Sequence, residues 1–270
     1  MAITTLDGLI AASKQQIRII KTASATTVAA LPFTTLDLAG YPGAGSLTVG
    51  NTANGLVPTD ATAGFPLINA FGGSATGYLQ AVDFGNSVAG RLTLYDRLFH
   101  AGSYSLTALA TVNLAAQPSY SGRVPGGTDF TNTELFLEIN TAVAASAVSV
   151  TVTYTNESGV AARTTGASVS LASMTTRRLV PMPLQAGDSG VQKIESVTVG
   201  GTVAATGTAN VVVARRLWSN RARVANDGGL DAFDATGLPV VFADSALWLV
   251  CEADSTSSGV PEVMATIVNG

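Results

Sequence analysis

Charged residues are scarce. Asp, Glu, Lys and Arg together make up 12% of the 270 residues, about half the usual quarter. A soluble monomer ordinarily covers itself with charge. A chain that does not, and whose mean hydropathy is +0.36, tends to associate with its own copies or with a fixed partner. Lysine is rarest, at Lys14, Lys21 and Lys193 only. The positive charge therefore rests on arginine, which tolerates interface burial and grips carboxylates at two points. A net charge of -4 and a pI near 4.9 argue against a general nucleic-acid binder, whose domain is basic.

Cysteine occurs once, at Cys251, which excludes an internal disulfide framework and a cysteine-rich zinc site. It ends the apolar run Ala246-Leu247-Trp248-Leu249-Val250-Cys251, so a buried, inert thiol is expected. Histidine also occurs once, at His100, which leaves no Ser–His or Cys–His arrangement and no imidazole partner for a metal. There is no G-x-S-x-G elbow and no phosphate loop, and Gly43-Ala44-Gly45 is followed by Thr48 where a dinucleotide fingerprint needs glycine. Aromatics are 6% of the chain, too few for sugar platforms beside paired carboxylates. The expectation is a protein without catalytic residues, cofactor or metal. No apolar run reaches the ~18 residues of a spanning helix, and the first residues lack a basic and a continuous apolar region. No membrane partner and no export route are expected.

What the chain does have is β pattern. Val148, Val150, Val152 and Tyr154 alternate with Ser149, Thr151, Thr153 and Thr155. Period two in β-branched residues marks a half-buried strand. Asn156-Glu157-Ser158-Gly159 turns the chain back through Val160–Thr165, a hairpin. Further strands are expected at Tyr78–Phe84, Arg91–Leu98, within Tyr104–Leu114, and at Glu134–Asn140, Val191–Val199 and Asn210–Leu217. Arg178–Leu184 carries Pro181 and Pro183, which confine it to a sheet edge or to no sheet at all. Val240–Val241, Ala246–Glu252 and Val260–Val268 supply more strand. In Glu134–Asn140 the alternation sets Leu135, Leu137 and Ile139 against Glu134, Phe136 and Glu138. About eight strands between Tyr78 and Trp218, with no convincing helix, predict an all-β fold. We expect an antiparallel β-sandwich, jelly-roll-like.

Ahead of that block, Thr4 or Thr5 can cap a short helix, with Asp7 in its first turn. Leu6, Leu9 and Ile10 share one face and Ile17 continues it, while the β-branched run Ile17–Lys21 favours a following strand. Residues 22–77 are rich in Gly, Pro, Ala, Ser and Thr, with turn signals at Tyr41-Pro42-Gly43, Asn54-Gly55 and Phe71-Gly72-Gly73. They read as extended chain and loops laid over a surface. The expected division is residues 1–77 as helix and extended arm, and 78–270 as the sandwich. Asn226–Asp234 holds three aspartates and an asparagine, but the acids do not alternate and no terminal Glu follows. A polar turn is expected there. Arg177, Arg178, Arg215 and Arg216 belong to a group of six among the eleven arginines. They read as a patch for an acidic protein surface or as charged strand ends paired with carboxylates.

The stretch Leu135–Leu217 resembles structural proteins of tailed bacteriophages. The likeness rests on Val148–Thr165, the turn Pro183–Val191, the closing Gly207–Leu217, the low-charge Ala/Thr/Gly/Val composition and the short N-terminal helix. It covers about a third of the chain, and within that group capsid decoration (cement) proteins are most similar. The resemblance implies a virion component, made in the host cytoplasm and carried on the capsid surface. Its implied partners are the major capsid protein and its own copies, as a trimer or dimer. The interface residues to be expected are Leu6, Leu9, Ile10, Ile17, Arg177, Arg178, Arg215, Arg216 and Trp218. The alternatives are a tail-tube or other virion subunit and, in another class, a receptor- or carbohydrate-binding module.

Overall fold

The computed structural model describes residues 3, 5–72, 76–166 and 169–270. The Thr5 hydroxyl accepts the Gly8 N–H at 3.1 Å and so caps α1 (Leu6–Ala11), with Asp7 in the first turn. Thr4, the other cap read from the sequence, lies outside the described residues, as does Gly73. Ala12 is extended, and the β-branched run behind it enters β1 (Ser13–Lys21). Ile17 is therefore on a strand, not on the helix face.

The remaining elements are β2 (Phe33–Thr34), β3 (Gly40–Tyr41), β4 (Gly77–Asn86), β5 (Gly90–Ser105), β6 (Ala110–Asn113), β7 (Thr133–Thr141), β8 (Val148–Asn156), β9 (Arg163–Thr164) and β10 (Val169–Ser170). They continue as β11 (Leu179–Pro181), β12 (Val191–Gly201), β13 (Thr208–Ala222), β14 (Asp227–Asp231), α2 (Phe233–Thr236), β15 (Val240–Val241), β16 (Leu247–Ala253) and β17 (Glu262–Asn269). Every strand pairing is antiparallel, so the protein is all-β with a short N-terminal helix, built as a jelly-roll-like sandwich of curled sheets.

The central sheet runs β11-β7-β13-β5-β16-β2. It curls until its edges meet: Phe33 bridges Arg178, Thr34 N–H donates to Arg177 O at 2.9 Å, and Leu179 N–H donates to Pro32 O at 2.9 Å. Pro181 sits at the β11 edge, where a missing N–H is tolerated. Inside the curl lie Tyr95, Phe136, Leu179, Val212, Ala214, Trp248 and Val250. Leu36, Leu47, Phe65 and Ala246 complete that cluster. Residues 22–77 are thus not only a surface layer, because their few large apolar side chains have no other place to leave water.

Two further sheets, of five and six strands, cover the outside of the curl. One, β10-β8-β12-β6 with β9 on β8, packs Val148, Val150, Val152, Tyr154, Val197 and Val199 against Leu135, Leu137, Ile139, Val211 and Val213. The other, β14-β4-β17-β1-β3 with β15 on β4, packs Ile17, Ile19, Leu79, Val82, Val263 and Ile267 against Leu92, Leu94, Leu217, Trp218 and Leu249. β5 and β13, 16 and 15 residues long, run through both halves. β4 and β5 are adjacent in sequence but join different sheets. The Asn226–Asp234 stretch is not a plain turn either. Gly228 lets β14 close against the Phe84 carbonyl, where a Cβ would collide, so Asp227–Asp231 forms an edge strand and α2 starts at Phe233.

Candidate interaction surfaces

Several of the rare charges lie inside. Arg97 on β5 and Glu138 on β7 reach each other across β13 with two contacts of 2.8 Å, both side chains fully buried. Asn210 donates to Glu138 at 2.9 Å and to Leu47 O at 2.7 Å, and the Arg97 guanidinium lies 4.9 Å from the Trp248 ring centre. On the opposite face of β5, in the seam between the two outer sheets, Asp96 is bonded by Arg123, by the Ser245 hydroxyl at 2.7 Å and by Ala246 N–H at 3.1 Å. Arg215 stands 3.7 Å from the same carboxylate and donates to Val240 O at 2.8 Å. Buried Lys21 donates to Leu38 O at 3.2 Å, and its burial lowers the ammonium pKa. Lys21, Arg97, Arg123 and Arg215 are buried against only Asp96 and Glu138, so the exterior is more acidic than the net charge of -4.

The six grouped arginines do not converge on one patch. Arg177 is bidentate to Asp37 at 2.8 and 3.0 Å, and Arg178 donates to Pro32 O at 3.3 Å, both where the central sheet closes. Arg215 is in the seam. Arg216 projects outward, 59% exposed, with Glu134 at 3.6 Å. Arg221 pairs with Asp254 at 2.5 Å. Trp218 is buried, its indole donating to Asp231 at 2.6 Å and its ring 5.0 Å from Phe84. Four of the six, Arg177, Arg215, Arg216 and Arg221, have a carboxylate within 4 Å, and Arg215 and Arg216 stand mid-strand on β13.

The apolar residues of the N-terminus divide. Leu9 and Ile17 are buried, whereas Leu6 is 57% and Ile10 62% exposed. Spaced i, i+4, they form one outward ridge on α1. Gln15 ties β1 to residue 69, accepting from its N–H at 2.9 Å and donating to its O at 3.1 Å. A shallow groove of 320 Å³ opens nearby between Gln16, Arg18, Ile20, Tyr41, Pro66 and Leu67. Tyr41 and Leu67 are themselves exposed. Ridge and groove both expose apolar side chains, Leu6 and Ile10 on the helix and Tyr41 and Leu67 at the groove.

Hydrogen bonds pin the hairpin of β8 and β9 to the turn after β11. Asp188 accepts from Arg163 at 2.9 Å, from Tyr154 OH at 2.7 Å and from Asn156 at 2.9 Å, while Gln185 N–H donates to Tyr154 OH at 2.7 Å. Arg163 first, then Asn156 and Tyr154, hold the Asp188 carboxyl down to about 2. Burial pushes His100 down to about 2 and the Cys251 thiol up to about 12. Among the described residues no three His, Cys, Asp or Glu side chains are grouped to hold a metal ion. Among the same described residues no helix is long and apolar enough to cross a membrane. Sequence reasoning missed Asp96–Arg123 and Arg97–Glu138. The available signal was a charged pair, Asp96-Arg97, set inside the apolar run from Leu92 to Phe99.

No known family model matches the chain and no curated protein matches it. Among solved structures, the crystal structure of the infectious bursal disease virus VP2 subviral particle aligns over 96% of this chain and 80% of that one, at 11% identity and a TM-score of 0.21. The structure of the infectious bursal disease virus Gx strain aligns over 96% and 80%, at 12% identity and a TM-score of 0.18. Scores this low carry no argument about fold or function.

Proposed function

We propose that the protein is a non-enzymatic structural subunit of a tailed-phage virion. In this reading it assembles with its own copies and binds the outside of the capsid, with the major capsid protein as partner. The observation that carries the proposal is the outward ridge of Leu6 and Ile10 beside the groove at Tyr41 and Leu67. A short helix anchored by one buried leucine and presenting two apolar side chains to solvent is suited to docking in a neighbour's hollow. The sparse exterior charge and the paired arginines fit a surface that meets protein rather than nucleic acid. Both tryptophans, Trp218 and Trp248, are buried, which counts against a sugar-binding platform built on them.

The test is co-sedimentation with purified shells that lack the protein. Leu6→Ser with Ile10→Ser should abolish retention on the shell while leaving the melting temperature within a few degrees, because both side chains are already in water. Retention equal to the wild type overturns the proposal.

A further inference from the structure

The outer edge of β6 differs from the other sheet margins. β14 carries Asp227 and Asp231, β3, β9 and β10 are two residues each, and the central sheet closes on itself. Such devices keep exposed edges from pairing with other chains. β6 has none of them. From Ser105 to Ala116 there is no charged residue and no proline, and Thr107, Ala108, Leu109, Ala110, Thr111 and Asn113 are exposed.

The ladder defines what this edge offers. β6 pairs with β12 through Ala110↔Val199, Thr111↔Thr198, Val112↔Val197 and Asn113↔Ser196, and Leu114 N–H donates to Glu195 O at 2.8 Å. Hydrogen-bonded pairs alternate along an antiparallel ladder. Ala110 and Val112 therefore bond to β12, while Thr111 and Asn113 turn N–H and C=O outward. Val112 packs on the core beneath, and Thr111 stands on the outer face with its hydroxyl 3.1 Å from that of Thr198. Thr198 is in turn opposite Thr151 on β8.

We infer that β6 pairs antiparallel with β6 of a second copy about a two-fold axis at Thr111, joining the β10-β8-β12-β6 sheet of each copy into one continuous sheet. This register sets Thr111 against Thr111 and Leu109 against Asn113, so the outward-turned groups of each edge meet those of the other, and each such pair exchanges two bonds. The row Thr151–Thr198–Thr111 continues into its symmetry mate with no like charges opposed, and cross-strand threonine pairs are favourable. Leu109, 65% exposed, comes to lie over the Asn113 of the second copy. The inference deepens the assembly part of the proposed function by naming its interface, and it does not depend on attachment to a capsid.

The test uses the full chain. Thr111→Pro removes one outward N–H and leaves the β12 ladder intact, a position where an edge strand tolerates proline. The wild type should sediment as a dimer across a micromolar concentration series and Thr111→Pro as a monomer with an unchanged circular dichroism spectrum. Because Cys251 is buried, Thr111→Cys carries a single accessible thiol. At about 5.5 Å between Cα atoms, which lies within disulfide range, it should oxidise to a covalent dimer. Leu109→Cys alone and Asn113→Cys alone should form no covalent dimer on oxidation, and a mixture of the two should cross-link. A wild type that is monomeric throughout, an oligomer that Thr111→Pro leaves intact, or Leu109→Cys cross-linking as readily as Thr111→Cys overturns the inference. Shell retention of the same variants reports on capsid attachment separately. A dimer broken by Thr111→Pro with no shell binding in the wild type leaves the edge standing and removes attachment, and the converse pattern does the reverse.

Discussion

Arg97 and Glu138, 41 residues apart in sequence, form a two-point ion pair of 2.8 Å contacts with neither side chain exposed. Replacing one member strands the other charge in the interior, which costs about 3–5 kcal/mol. Glu138→Leu should therefore shift urea unfolding by that amount. Arg97→Met combined with Glu138→Leu should recover most of the loss, since a buried pair repays its desolvation only in part. A double variant as unstable as the sum of the two single ones would show that the pair is not energetically coupled.

His100 makes stability depend on pH. Burial first, and then the nearby Arg97 charge, push the folded imidazole down to about 2, while an unfolded histidine titrates near ~6.5. The unfolded state alone takes up a proton below that point. Stability should accordingly be unaffected by this group above pH ~6.5 and should fall as pH drops below it, by up to about 1.4 kcal/mol per pH unit. His100→Gln should remove that slope between pH 6.5 and 5, whatever its packing cost at neutral pH. Urea midpoints measured across the interval check it.

The Asp188 cluster acts at lower pH. Its carboxyl is held down to about 2, chiefly by Arg163, against about 3.9 in an unfolded chain. A folded pKa below the unfolded one gives stabilisation that is complete above pH ~4 and lost as pH falls towards 2. Asp188→Asn should weaken the hairpin at pH 6 but flatten the acid dependence between pH 4 and 2. Amide exchange of β8 and β9 in the two proteins distinguishes this from a global effect.

Cys251 is fully buried, with its thiol pushed up to about 12 by burial and then by Glu252 and Asp254. Only the thiolate reacts with disulfide reagents. Labelling should be negligible in the folded protein at pH 8 and should become stoichiometric in concentrated guanidinium. Rapid labelling without denaturant would show that β16 opens locally.

The Val148–Thr155 alternation is matched residue for residue by the burial of β8, because a strand with one dry face and one wet face carries its own instructions. The same logic stops at β7. Leu135, Leu137 and Ile139 face one core, as the pattern states, but Phe136 and Glu138 face another. A period of two separates the faces without saying what covers each. Asn226–Asp234 failed for a related reason: its glycines look like a turn, and only the closeness of β4 makes them a strand. Of the expected interface residues, Leu6, Ile10 and Arg216 face outward, while Leu9, Ile17, Arg215 and Trp218 are buried in the protein's own fold.

Local chemistry by itself determined the all-β class, most strand positions, the Thr5 cap, the β8–β9 hairpin and the edge placement of Pro181. Each depends on residues a few positions apart. Tertiary structure alone decided that β4 and β5 part into different sheets, that Leu36, Leu47 and Phe65 fill the central curl, and that Asp96, Arg97, Arg123 and Glu138 are inside. A buried charge is tolerable only when it is paired or hydrogen-bonded, and the partners of these four lie too far along the chain for local pattern to name them.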